Sequence, residues 1–249
     1  MTKFSSLFGH VVGFIIFLLL WEVGSRLDWF GGSVPSVSRI INYFFAGSTN
    51  SLILESLIFT SSNALAGFFI GLFLSLALGC ISAVKPKLKQ GLETLAVMVN
   101  ATPLIAVGPI LFLFLGENAT AIATAALATF FSLFVAVLSG LSSANMAQKD
   151  IMNLYSSGKF RSLITIQMPL AIPNILIGAK IGAGAAVLGA IIGEWFGASA
   201  GLGVLLIVSL QNFQVELLWL TVVVGTSLSG LSFLIIAAIE TFILRNFDS

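Results

Sequence analysis

The chain has 249 residues and a formal net charge of +1, with 58% hydrophobic and only 8% charged residues. Soluble domains carry about 25% charged residues, so a mean hydropathy of +1.09 excludes a globule wrapped in polar side chains and predicts an integral membrane protein. The near-zero charge gives no basis for nucleic-acid binding, and the lone Cys80 excludes intrachain disulfides and cysteine metal sites.

In chain order, Lys3 precedes an apolar run to Leu20, the outline of a signal peptide. Trp21-Glu22 stands where small cleavage-site residues belong, so the stretch reads as an uncleaved first span with an aromatic interface anchor. Six apolar stretches approach the length of about 20 residues that a spanning helix needs: Phe8–Val23, Leu57–Val84, Leu92–Leu115, Ala119–Leu141, Ile175–Ile192 and Leu217–Leu244. A barrel would instead show alternating segments of about ten residues. The expected fold is therefore an all-α integral membrane protein of about six transmembrane helices, in one transmembrane domain over residues 1–249.

With the N-terminus inside, Lys3, Lys85, Lys87, Lys89, Lys149, Lys159, Arg161 and Arg245 fall on the cytoplasmic side, against Arg26 and Arg39 outside. Basic residues concentrate on the inner side of membranes, which predicts both termini in the cytoplasm. Between the first two spans, Pro35-Ser36 and the Val-Ser-Arg-Ile that follows predict a short interfacial helix. Gly67, Gly71 and Gly79 in the second span permit close helix approach. Pro103, Gly108 and Pro109 interrupt the third span, either as a simple kink or as carbonyls freed to line a cavity.

The longest polar interruption of the second half is Asp150–Pro173, within a cytoplasmic loop over residues 142–173. Ile151, Leu154 and Tyr155 recur at helical spacing, as do Phe160, Leu163 and Ile164, which predicts two short amphipathic helices broken at Ser156-Ser157-Gly158. Two greasy faces on a cytoplasmic loop predict docking onto another protein; the alternative is that they pack back on the spans. In the fifth span Gly178, Gly182, Ala186, Gly189 and Gly193 form one stripe of small residues, suited to close helix packing or to a pore wall. Lys180 and Glu194 lie 14 residues apart, about 21 Å along a helix, so they do not pair directly. Each is either a functional charge or one that snorkels to the interface. The glycine-rich turn after Glu194 follows a helix rather than a strand, and no GxxxxGK[ST] loop occurs, so the chain is not expected to bind ATP.

These residues resemble the permease subunits of bacterial binding-protein-dependent ABC importers, in the nitrate, sulfonate, taurine and thiamine-pyrimidine precursor branch. The cytoplasmic signature of that family reads Glu-Ala-Ala, three residues, Gly, then a run to Leu-Pro. Counted back from Met168-Pro169, Asp150-Ile151-Met152 and Ser156 occupy its positions. Trp21-Glu22, Pro35-Ser36, Gly67-Phe68, Pro103, Pro109, Pro173, Gly178-Ala179-Lys180, Gly193-Glu194-Trp195 and Gly201-Leu202-Gly203 match in order. The chain departs from the pattern at Asp150, at Ser156, and at Asn63 and Asn100, where the family has arginines. Gly158 could supply the missing flexible position two residues late.

The resemblance implies the fold of type I ABC importer permeases and a subunit that moves a small solute inward without an ATPase site of its own. It binds no cofactor; ATP is held by partner subunits. The implied partners are a cytoplasmic ATPase dimer, a second copy or close relative, an extracytoplasmic solute-binding protein and the bilayer of the cell inner membrane. Asp150, Ile151, Leu154, Tyr155, Ser156, Gly158 and Pro169 would form the ATPase-coupling loop. Asn63, Asn100, Pro103, Lys180, Glu194 and Trp195, with Thr102 and Ser132, are candidates for the pathway or its gate. The Glu-Trp-Phe-Gly-Ala-Ser pattern at 194–199 favours a thiamine-pyrimidine precursor or similar heterocycle as solute, with sulfonate, taurine or nitrate as the alternative. A stand-alone secondary transporter or channel would show several mid-membrane charges or two homologous halves. Neither is visible.

Overall fold

The computed structural model describes residues 2–47, 49–143 and 158–247. The described residues form nine longer helices, α1 (Thr2–Arg26), α2 (Val37–Phe45), α3 (Asn50–Val84), α4 (Pro86–Ala101), α5 (Leu104–Leu115), α6 (Glu117–Leu141), α7 (Met168–Glu194), α8 (Leu202–Gln211) and α9 (Val215–Phe247), together with a helical turn at Lys159–Ser162 and a π turn at Leu163–Gln167. Among the described residues there is no strand. Four helical stretches are long and apolar enough to cross a membrane, at 50–84, 119–141, 160–194 and 215–245, and the bent pair α4–α5 would make a fifth. The first expected span falls on α1, where Phe14, Ile15, Phe17 and Leu20 are exposed.

The core is a three-helix layer with α6 in the middle. Lipid tails are as apolar as leucine, so packing of helices in a membrane rests on van der Waals contact and interhelical hydrogen bonds. Small residues on both outer helices supply the closeness. On α3, a Cβ at Gly67 would sit 2.7 Å from the Ile122 carbonyl oxygen, and one at Gly71 2.9 Å from that of Ala126. On α7, a Cβ at Gly178 would lie 3.0 Å from the Ser132 carbonyl, and one at Gly189 2.7 Å from the Thr124 carbonyl. The stripe on the fifth span is thus a packing seam against α6, not a pore wall. Hydroxyls stitch the layer: Ser75 donates to the Phe130 carbonyl (3.0 Å) and Thr129 to the Gly182 carbonyl (3.2 Å).

The helix predicted after Pro35-Ser36 is present as α2, capped by Ser36. It is held to α1 where Trp21 donates its indole N–H to the Pro35 carbonyl and Glu22 accepts from the Ser38 amide and hydroxyl. Arg39 carries the contact on to Glu216 of α9.

Two expectations are corrected. The third span is not a single kinked helix. Thr102 and Pro103 are both extended, because the residue before a proline is pushed out of the helical region, and α4 and α5 meet at 98°. The second short helix of the 142–173 loop is not separate either. Lys159–Ser162 passes through a π turn, Leu163–Gln167, directly into α7. Pro169 and Pro173 lack amide protons, and a proline ring crowds the carbonyl four residues back. A proline in the first turn of a helix costs little, and the Met168 amide reaches back five residues to Leu163, a π-type bond just before Pro169. Leu163 is buried against Val137, Leu141 and Ala171, whereas Phe160 and Ile164 stay exposed. Asp150, Ile151, Leu154, Tyr155 and Ser156 lie outside the described residues; Gly158 stands at the start of this continuous stretch.

The α6–α7 seam should be the least tolerant surface of the protein. A Cβ at Gly189 meets backbone atoms of Thr124 and Ala125 within 2.8 Å, whereas at Gly230 on α9 nothing lies within 4 Å. Gly189→Ala is expected to cost about 1–3 kcal/mol by overpacking, and Gly230→Ala to leave stability unchanged or slightly raised. Thermal unfolding of the detergent-solubilised protein checks this, and equal melting temperatures for the two variants would contradict the seam.

Candidate functional site

Glu194 is the last residue of α7 and is 1% exposed. The Gly193 side of the helix turn lies against the backbone of α6, with Ala121 Cα 2.6 Å from where a Cβ would be. That contact turns Glu194 toward α3. There Thr60 donates its hydroxyl to Oε2 at 2.9 Å, and Asn63 donates its amide to Oε1 at 3.3 Å. The Gly203 amide, in the first turn of α8, donates to Oε2 at 2.9 Å. Thr60 also accepts from the Leu202 amide at 2.8 Å, so one hydroxyl bridges helix end and carboxyl. The arrangement follows from unpaired N–H groups at a helix start, which favour a carboxylate. A carboxyl removed from water needs every donor it can find.

Gly201 makes this approach possible. Its φ of +120° is a conformation that side-chain-bearing residues rarely adopt. A Cβ there would run into the Glu194 carboxyl. The turn before it clamps a further element. The Phe196 ring occupies the space where a side chain at Gly108 would be, and Phe112 packs on Gly197 (φ +94°), so α5 is docked on the same turn. The site is a joint between α3, α5, α7 and α8.

The sequence-predicted residues divide clearly. Asn63 and Glu194 are brought together. Asn100, Thr102 and Pro103 are exposed at the α4–α5 break, away from this joint, and Ser132 lies in the α6–α7 seam, donating to the Thr129 carbonyl. Trp195 caps α7 and is 37% exposed; the neighbouring Phe196 is the ring that docks α5. Neither charge snorkels. Glu194 is sealed in, and Lys180 donates to Glu240 of α9 at 2.5 Å, with both side chains below 20% exposed. Because α7 begins at Met168, Lys180 is twelve residues in, about 18 Å along the helix, which explains why it needs a partner there. Thr60 and Glu240 were missed by sequence reasoning. Thr60 sits one helical turn before Asn63 on the buried face of α3, which also carries Ser56, Ala64, Gly67 and Gly71. Glu240, an acid 23 residues past the start of the last span's expected range, is the signal that points to a cation opposite.

A family model described as the binding-protein-dependent transport system inner membrane component matches residues 75–248. The chain belongs to that family. The permease is 31% identical over 196 residues to the formylaminopyrimidine transport permease protein ThiX of Halalkalibacterium halodurans, covering 76% of each chain. It is 24% identical over 239 residues to the riboflavin transport system permease protein RibX of Chloroflexus aurantiacus, covering 95% of this chain and 89% of that one. With the putative aliphatic sulfonates transport permease protein SsuC of Bacillus subtilis it shares 22% over 232 residues, 92% of this chain and 84% of that one. The permease is therefore a multi-pass membrane component of an ABC importer, a class of subunit that works with ATPase and solute-binding partners. Its joint residues Asn63 and Thr60 precede the matched stretch, whereas Glu194, Gly201 and Gly203 lie within it.

Removing the carboxyl strands three donors, while removing one donor strands fewer groups. A buried unsatisfied polar group costs about 1–3 kcal/mol, so Glu194→Ala is expected to destabilise by about 3 kcal/mol and Thr60→Val by about 1–2 kcal/mol. Asn63→Ala, which loses the longest bond, should cost less than about 1 kcal/mol. Melting temperatures of the three variants give the order directly. An Asn63→Ala variant as damaged as Glu194→Ala would contradict the geometry.

Proposed function

We propose that this permease carries a thiamine-pyrimidine precursor, or a similar small heterocycle, inward across the membrane. The observation that carries the reading is the 31% identity to a formylaminopyrimidine permease, supported by a riboflavin permease aligned over nearly the whole chain. The second reading, an aliphatic sulfonate, draws on two sulfonate permeases at 22% and 25% identity. Both solutes would be delivered by an extracytoplasmic binding protein, which sets most of the selectivity.

In this reading the termini are cytoplasmic and the solute path runs beside a second copy or close relative of the chain. Only 6% of the apolar window of α9 is buried within the chain, so that face is free for lipid or for a second subunit. Two ATPase subunits hold the ATP, and each takes the Asp150–Met168 loop in a cleft, with Ile151, Leu154 and Tyr155 as apolar anchors. Closing of the ATPase pair rocks the helices between inward- and outward-facing packings. The Glu194 joint, at the opposite end of α7 from the coupling segment, acts as the outer-side gate.

The solute question is answered by titrating the partner binding protein with formylaminopyrimidine and with an alkanesulfonate in a calorimeter. Tight heat-producing binding of the pyrimidine alone supports the first reading, and tight binding of the sulfonate alone replaces it with the second. For the coupling segment, Leu154→Asp should abolish solute-stimulated transport in proteoliposomes and weaken co-purification of the ATPase at least tenfold, about 1.4 kcal/mol. An ATPase that still co-purifies in wild-type amount would remove Leu154 from the docking face.

A further inference from the structure

Two cavities meet at the basic turn between α3 and α4. One, about 280 Å³, is the more polar of the two and is lined by Ser82, Pro86, Lys89, Ser142 and Gln167 among others. The second, about 410 Å³, runs as an apolar groove between α4 and α6 past Ala96, Val97, Phe131, Phe134 and Val135. They share Lys89, Leu138 and Ser142, so they form one continuous amphipathic slot.

The polar end carries an unmet demand. Ser82 is 2% exposed and its hydroxyl has no hydrogen-bond partner. A buried hydroxyl left unpaired in a folded protein calls for a ligand or water. Lys89 reaches the same cavity, and Lys85 and Lys87 lie on the same turn, where Pro86 starts α4. The acidic group facing them is Glu93, whose carboxylate is 3.9 Å from the Lys89 ammonium with both side chains close to half exposed. That is a weak, solvent-screened pair, and it leaves an excess of positive charge around the hydroxyl. The apolar end opens among exposed apolar residues, with Val97 58% and Val135 47% exposed.

We propose that this slot binds one anionic glycerophospholipid. The phosphate accepts from the Ser82 and Ser142 hydroxyls and the Lys89 ammonium, and an acyl chain lies along Ala96, Phe134 and Val135. Basic pockets between spanning helices suit anionic headgroups, and a free inorganic anion has no use for the groove. The inference does not rest on the transport reading.

The test uses the full chain, purified in neutral detergent and stripped of lipid. Phosphatidylglycerol, phosphatidylcholine and inorganic phosphate are added separately, and bound lipid is counted by native mass spectrometry alongside the melting temperature. One phosphatidylglycerol should stay bound and raise the melting temperature, with phosphatidylcholine retained at least about fivefold less, the scale of one lysine–lipid contact. Lys89→Glu should lower phosphatidylglycerol retention by about fivefold or more. Val135→Trp, which plugs the groove from its exposed side without changing charge, should do the same. Ser82→Ala gives the same readout should Lys89→Glu not fold. Wild-type retention in Val135→Trp, or in a folded Lys89→Glu, overturns the proposal. So does equal retention of phosphatidylcholine, or equal stabilisation by inorganic phosphate.

Discussion

The rest of the structure depends on the near-contact of two backbones, α6 and α7. In water a helix pair is driven together by its apolar faces. In lipid that force is absent, and the pair holds only if atoms come close enough for many short-range contacts and a few interhelical hydrogen bonds. Gly178, Gly182, Gly189 and Gly193 remove the side chains that would hold the helices apart. The Thr129 hydroxyl then reaches the Gly182 carbonyl across the gap. The same logic attaches α3 through Gly67 and Gly71, so α6 has a neighbour at backbone distance on each side. Large side chains such as Phe69, Phe73, Leu188 and Phe242 lie on the outside, while Leu133 and Phe134 of α6 stay buried.

This seam also places the buried charge. Glu194 follows Gly193, which lies so close to Ala121 that no side chain would fit between them. From there the carboxyl points between α3 and the start of α8. Its cost of desolvation is offset by three donors from two separate helices. Buried polar groups that are fully satisfied specify one arrangement, because any displacement leaves several of them unpaired at once. A joint of this kind has two states, made or broken, with little between. Lys180 with Glu240 repeats the principle at mid-helix, fastening α9, whose own apolar surface is mostly unburied.

Much of this was legible in residues, and what was not has definite causes. Helical class, the span ends at Val84 and Leu141, α2 after its Pro-Ser cap and the stripe on α7 all follow from periodicity and from the chemistry of glycine and proline. The stripe's partner did not, because small residues state that something comes close without saying what. The 98° break at Thr102-Pro103 goes beyond what the prolines alone state, a kink or an interruption lining a cavity: a proline signals a departure from helix, and its angle is set by what the next segment docks on, here Phe196 on Gly108. Glu194 stood out as a charge in an apolar run, yet Thr60 was invisible, since a threonine in a span is ordinarily satisfied by its own helix. The separate amphipathic helix expected around Phe160, Leu163 and Ile164 shows the limit of periodicity. Leu163, at the right spacing for a docking face, is instead part of the chain's own core.

That continuity has a mechanical consequence. From Phe160 to Glu194 the chain is one helical rod, 35 residues long, about 50 Å end to end at 1.5 Å per residue. Its first turn borders the Asp150–Ser157 segment, and its last residue is the carboxyl of the joint. Close-packed interiors do not deform gradually, so force applied at the first end cannot be absorbed in the seam. In the proposed coupling such a force would move α6 and α7 as a unit. The π turn at Leu163–Gln167 and the missing amides of Pro169 and Pro173 make the lower part of the rod the easiest place to bend. They lie next to the proposed coupling segment rather than next to the joint. Bending there changes the direction in which the seam is pushed, while the Glu194 bonds, which have no such slack, either hold or release together.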